Sequence, residues 1–153
     1  MGGGEEMSQI ILHGRKAIGG SAAGEAIVSV EPLGGFCAVN AAEGRITERG
    51  HELEGQCFAG KILVFSLAKG SSGWSGAYQA ARQLGKGPTG LVVKTMNTRA
   101  ALGAVLMRVP TMTDLDQDPT KVIENGDWVE IDAENGCITV TKQSGRVISG
   151  APE

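Results

Sequence analysis

The sequence predicts an α/β domain in which a parallel β-α-β core is flanked on both sides by short antiparallel strands. Three observations predict it. Between Lys61 and Met112, apolar runs alternate with helix-forming segments, which calls for parallel strands joined by right-handed crossovers. The segments before and after that stretch alternate apolar and polar residues between turn signals, the period of a half-buried strand. The chain also has 24 glycines and 4% aromatic residues in 153, a composition suited to a tight, turn-rich β or α/β domain. That length holds a single core.

In chain order, residues 1–8 carry glycines and glutamates without apolar periodicity and are set apart as a disordered tail or cloning remnant. One domain is expected over 9–145, followed by a C-terminal tail over 146–153. Ile10 to Leu12 opens the apolar pattern, and Glu25 to Val30 reads as a strand. Pro32-Leu33-Gly34-Gly35 is a loop, Phe36 to Val39 a further strand, and Asn40 to Gly44 a turn into Arg45 to Thr47.

Lys61 to Leu67 is nearly all apolar, as a strand buried on both faces must be. It empties into Lys69-Gly70-Ser71-Ser72-Gly73. Ser75 to Leu84 is predicted helical on a face of Ala77, Ala80, Ala81 and Leu84, with Gly85 as the stop. Leu91 to Val93 is the second buried strand. Asn97 caps a helix running through Ala100, Leu102, Val105 and Leu106, and Val109 to Met112 is the third strand. Turns at Asn125-Gly126 and Glu134-Asn135-Gly136 bound a terminal hairpin of Trp128 to Ile131 and Cys137 to Thr141.

Composition narrows the function. Charged residues make up 20% of the chain and the net charge is -3 with no basic cluster, so no footprint for nucleic acid is present. No run of 18 apolar residues and no basic-then-hydrophobic leader occurs, and a cytoplasmic protein is expected. Cys37, Cys57 and Cys137 are far apart and odd in number, which fits reduced, buried thiols. His13 and His51 read as surface or loop residues, and Asp114, Asp116 and Asp118 as a solvated acidic loop whose glycine and glutamate are misplaced for calcium.

Ligands of a parallel sheet bind beyond the carboxyl ends of its strands. Three loops qualify: Lys69 to Gly73, Lys94 to Asn97 and Thr113 to Asp116. The first is the richest, because Gly70 and Gly73 flank two hydroxyls at a helix N-terminus that favours an anion. Helix-terminal donors also stabilise a deprotonated serine, so Ser71 or Ser72 can serve as a base; both residues are equally suited to capping the helix. A phosphate-binding P-loop and a nucleophile elbow are excluded by spacing.

The ordered motifs Gly24-Glu25-Ala26, Pro32-Leu33-Gly34-Gly35-Phe36, Glu43-Gly44-Arg45-Ile46, Gly60-Lys61-Ile62-Leu63-Val64 and Lys69-Gly70-Ser71-Ser72-Gly73 resemble the swivelling domain of aconitase X over roughly residues 20–140. The resemblance implies a swivelling β/β/α domain of the aconitase type. It also implies a small subunit that works with a large catalytic subunit, which carries iron or an iron–sulfur cluster through its own cysteines.

Aconitases place a Gly-Ser-Ser-Arg-Glu-His loop over the substrate with the first serine as base. On that pattern Ser71 is the base and Gly70, Ser72 and Gly73 are substrate-binding. Gly73-Trp74-Ser75 stands where Arg-Glu-His is found, so the loop supplies no substrate-binding arginine and activity on citrate is not expected.

The reactions implied are dehydration of cis-3-hydroxy-L-proline to pyrroline-2-carboxylate, or of mevalonate 5-phosphate. The alanine-rich chain and its scattered basic residues favour the first. Two rivals of other classes remain: a non-catalytic binding module, and a phosphohistidine-type swivelling domain suggested by Gly126-Asp127-Trp128-Val129-Glu130-Ile131-Asp132. The second lacks the histidine that phosphotransfer requires in its loop.

Overall fold

The structure, a computed structural model, describes residues 8–143. The expected tails fall outside them except for Ser8, whose carbonyl accepts the Lys142 N–H at 2.8 Å. The chain forms β1 (Gln9–His13), β2 (Arg15–Ile18), β3 (Ser21–Ser29), β4 (Val39–Asn40), β5 (Arg45–Ile46) and β6 (Ile62–Phe65). It continues through α1 (Trp74–Gln83), β7 (Gly90–Val93), α2 (Thr98–Met107), β8 (Thr111–Thr113), α3 (Pro119–Val122), β9 (Trp128–Asp132) and β10 (Cys137–Thr141).

The main sheet has the order β1-β10-β9-β3-β6-β7-β8-β2. Its parallel centre is β3-β6-β7-β8, with Ala26 opposite Ile62, Leu63 opposite Leu91 and Val92 opposite Met112. The first half of β3 pairs antiparallel with β9, and β2 closes the other side against β8.

Its two outermost strands, β1 and β2, are separated along the chain by Gly14 alone, so the sheet curls until its edges meet at that residue. A side chain at Gly14 would lie 2.8 Å from the Thr113 carbonyl oxygen, which is why the corner is glycine.

Alternation along the strands separates two cores. Ile62, Val64, Val92, Met112, Val129 and Ile138 fill the inside of the curl, while Leu63, Phe65, Leu91 and Val93 face α1 and α2. Both faces of β6 and β7 are therefore buried, and their apolar runs follow from that.

Gly85 ends α1 as expected: with φ at 76° it lets its own N–H reach Arg82 O, and Lys86 N–H reach Ala81 O. Asn97 caps α2 through its side chain, which accepts from Ala100 N.

Several expectations are corrected. Residues 36–38 form a turn, not a strand, because Cys37 takes a left-handed φ of 66°; only Val39 and Asn40 are extended. The third parallel strand starts at Thr111, later than Val109, since the helix before it runs to Met107 and Arg108 turns the chain. The buried face of α1 is Trp74, Ser75, Tyr78 and Ala81; Leu84 is exposed. In α2, Leu102 and Val105 face solvent and Gly103, Ala104 and Met107 face inward.

Cys37 is exposed, and Cys57 and Cys137 are half-buried rather than core residues. The acidic loop is not simply solvated: Asp114 pairs with Arg15 at 2.7 Å, Asp116 accepts from His13 N, and Asp118 caps α3. No helix of the described residues is long and apolar enough to cross a membrane.

Candidate active site

The loop after β6 is built from below. Leu33 forms a parallel bridge with Ala68, donating its N–H to Leu67 O and accepting from Lys69 N, so the Pro32–Phe36 loop lies alongside the segment that leads to Ser71. Two aromatic residues of α1 hold that loop: Trp74 Nε1 donates to Leu33 O at 2.8 Å, and Tyr78 O–H donates to Gly34 O at 2.9 Å. Burial, and secondarily the Glu48 charge, push the Tyr78 hydroxyl well above its ordinary pKa, so it stays a donor. A Cβ on Gly35 would meet Trp74 Cα at 2.7 Å, which explains the second glycine of the motif.

The loop and its neighbour enclose a cleft of about 240 Å³ lined by Gly34 to Ala38, Glu48, Lys69, Gly70 and Ser71. Of the larger hollows, those of about 390 and 800 Å³ include no strand-to-helix loop of the parallel core, and one of about 360 Å³ lies between the other two such loops.

Of the four expected site residues, Gly70 and Ser71 line the cleft. Ser72 is exposed outside it, and Gly73 is covered by Phe36, whose Cβ lies 3.2 Å from the position of a Cβ at Gly73. Neither serine caps α1: the N-cap is Gly73, without a side-chain bond. Instead Ser71 Oγ is exposed and accepts the Gly73 N–H at 3.2 Å. Gly70 has φ at 102°, a conformation other residues adopt only with strain.

The remaining two loops share a separate hollow, where Lys94 and Asp118 pair at 3.0 Å. Asn97 reaches across instead: its Nδ2 donates to Ala68 O at 2.8 Å.

Three features escaped the sequence reading. Arg99 Nε donates to Gly70 O at 2.5 Å. Lys69 Nζ pairs with Glu48 Oε2 at 2.5 Å in the cleft wall, where the other Glu48 oxygen is buried without a partner among the described residues. Phe36 is 70% exposed at the rim. No local signal marks the first, because Arg99 and Gly70 are 29 residues apart and meet only through the crossover.

His51 is buried, not a surface residue. Its Nδ1 accepts from Leu53 N at 3.0 Å, and its Nε2 lies 3.2 Å from Ser29 Oγ and from Pro32 O. Ser29 spends its own hydrogen on Glu31 O, so Nε2 carries the imidazole proton.

Glu31, His51 and Glu52 are close enough together to suggest metal ligands, but both ring nitrogens are committed to the protein. Among the described residues the cysteines join no such group. The donors among the described residues therefore do not fit an iron centre.

A curled sheet carries two helices on one face and presents a serine loop in a shallow cleft beyond its parallel strands. The family model for the aconitase X swivel domain matches residues 11–140, and the chain belongs to that family. The phosphomevalonate dehydratase small subunit of Thermococcus gammatolerans is 36% identical over 129 residues, covering 84% of this chain and 96% of that protein. The protein of the same name from Methanosarcina acetivorans is 30% identical, covering 93% and 99%. The crystal structure of Thermococcus kodakaraensis aconitase X, holo-form, superposes with a TM-score of 0.81 at 34% identity, covering 87% of this chain and 99% of that one.

Proposed function

We propose that this chain is the small subunit of an aconitase X-type dehydratase that removes water from mevalonate 5-phosphate, with Ser71 as the proton acceptor. The observation that carries the substrate is the name of its relatives, which it matches across nearly their whole length. This reading replaces cis-3-hydroxy-L-proline. One premise for that substrate was the scatter of basic residues; Arg99, 29 residues from Gly70 in sequence, reaches the Gly70 carbonyl in the fold.

In the reaction Ser71 Oγ takes the proton from the carbon next to the substrate carboxylate, the hydroxyl of the neighbouring carbon departs, and a carbon–carbon double bond forms. The Gly73 N–H on Ser71 Oγ, together with the N-terminal end of α1, stabilises the deprotonated Ser71 that accepts this proton and becomes the hydroxyl. Gly70 keeps the loop open to the substrate, and Ser72 offers a hydroxyl at its edge. Iron or an iron–sulfur cluster, with the remaining substrate contacts, falls to the large subunit.

The test is to assay the co-expressed pair with both substrates. Mevalonate 5-phosphate is expected to be dehydrated at a kcat/KM at least about 10²-fold above that for cis-3-hydroxy-L-proline. The opposite preference overturns the substrate assignment.

A further inference from the structure

We propose that Arg99 receives an oxyanion of the substrate, phosphate or carboxylate, beside Ser71. The inference rests on the dehydratase reading of the Ser71 loop.

The start of α2 grips that loop at two alternate carbonyls, Asn97 Nδ2 on Ala68 O and Arg99 Nε on Gly70 O. The second bond places the guanidinium one peptide unit from Ser71 and fixes its plane. With Nε engaged, the two terminal nitrogens still present four N–H donors, and among the described residues none has a protein partner. The side chain is exposed.

Charge singles out the same residue. The other cations at the carboxyl ends of the parallel strands are neutralised, Lys69 by Glu48 at 2.5 Å and Lys94 by Asp118 at 3.0 Å. Arg99 forms no ion pair among the described residues, and the four loop residues Gly70 to Gly73 are uncharged. The positive end of α2 adds to its potential. A planar fork with its plane already set binds a carboxylate or phosphate through two parallel hydrogen bonds and loses little entropy in doing so.

The experiment uses the two-subunit enzyme with Arg99→Ala and Arg99→Lys. Arg99→Ala is expected to raise KM for mevalonate 5-phosphate about 10–100-fold, with kcat changed far less and co-elution with the large subunit intact. Arg99→Lys, which keeps the charge but loses the fork, recovers part of the loss, and added guanidinium ion lowers the KM of the alanine variant. An unchanged KM overturns the proposal; so does a loss confined to kcat, which marks a mere tether for Gly70.

Inorganic phosphate and acetate, titrated into wild-type and Arg99→Ala complexes by calorimetry, identify the oxyanion. Arg99-dependent binding of phosphate assigns the phosphate, and Arg99-dependent binding of acetate assigns the carboxylate. Binding of both that ignores Arg99 overturns the proposal.

The calorimetry also separates this inference from the substrate reading. Failure of the wild-type pair to turn over mevalonate 5-phosphate, with Arg99-dependent anion binding preserved, removes the substrate and upholds Arg99. Full turnover with an unaltered Arg99→Ala enzyme does the reverse.

Discussion

Ser71→Ala, assembled with the large subunit, is expected to lower kcat by about 10²–10⁴-fold, the loss typical of removing a positioned base. KM should change little and the complex should still form. The side chain supports this separation of effects: it is exposed, and its one hydrogen bond among the described residues is the N–H it accepts from Gly73. The fold therefore does not depend on it. Ser72→Ala provides the contrast, since Ser72 lies outside the cleft and should cost far less. A Ser71→Ala enzyme of normal kcat removes the base assignment.

Trp74→Ala is expected to give the largest loss of stability among single substitutions at the site. Trp74 is fully buried, its ring centroid lying 4.5 Å from that of Tyr78 and 5.6 Å from that of Phe65. Truncating such a residue costs about 3–5 kcal/mol, against a total of roughly 5–15 kcal/mol for a domain. It also strips the Leu33 carbonyl of one of its two donors, leaving the Lys69 N–H. Thermal unfolding should shift down by roughly 6–20 °C. Trp74→Phe keeps most of the volume, loses the hydrogen bond and should fall between. A shift of less than about 2 °C for the alanine variant contradicts the anchoring role.

The parts of the fold legible in the sequence are those set by local rules. β6 and β7 are apolar on both faces, so composition alone marks them as central strands. Asn97 and Gly85 announce the helix ends they cap because their side-chain chemistry and backbone freedom act within four residues.

The face of α1 was not legible from alanines, which pack equally well inside or at the surface. The true stripe is Trp74, Tyr78 and Ala81, and Trp74 stood in what looked like loop sequence. In α2 the apolar Leu102 and Val105 misled, whereas Gly103 faces inward because a Cβ there would press on the Trp74 ring, 3.0 Å from Cε3. The short α3 did carry a signal, Asp118-Pro119, a cap followed by proline at the first helical position.

The candidate site divides in the same way. Ser71 was legible because a glycine-flanked serine after a buried strand is a local pattern. Its surroundings were not. The Glu48–Lys69 pair, the Arg99–Gly70 bond and the curl of the sheet at Gly14 each join residues that only tertiary structure brings together. The scatter of basic residues in sequence accordingly pointed toward a neutral amino-acid substrate, while the folded chain brings Arg99, without an acidic partner among the described residues, to Gly70.

The central claim is that this chain holds one half of an active site. Its most direct test is the rate of dehydration of mevalonate 5-phosphate by this subunit alone, by the large subunit alone, and by the reconstituted pair. Product is expected from the pair and from neither subunit by itself. Turnover by the isolated subunit, or a rate for the large subunit alone equal to that of the pair, would contradict the claim.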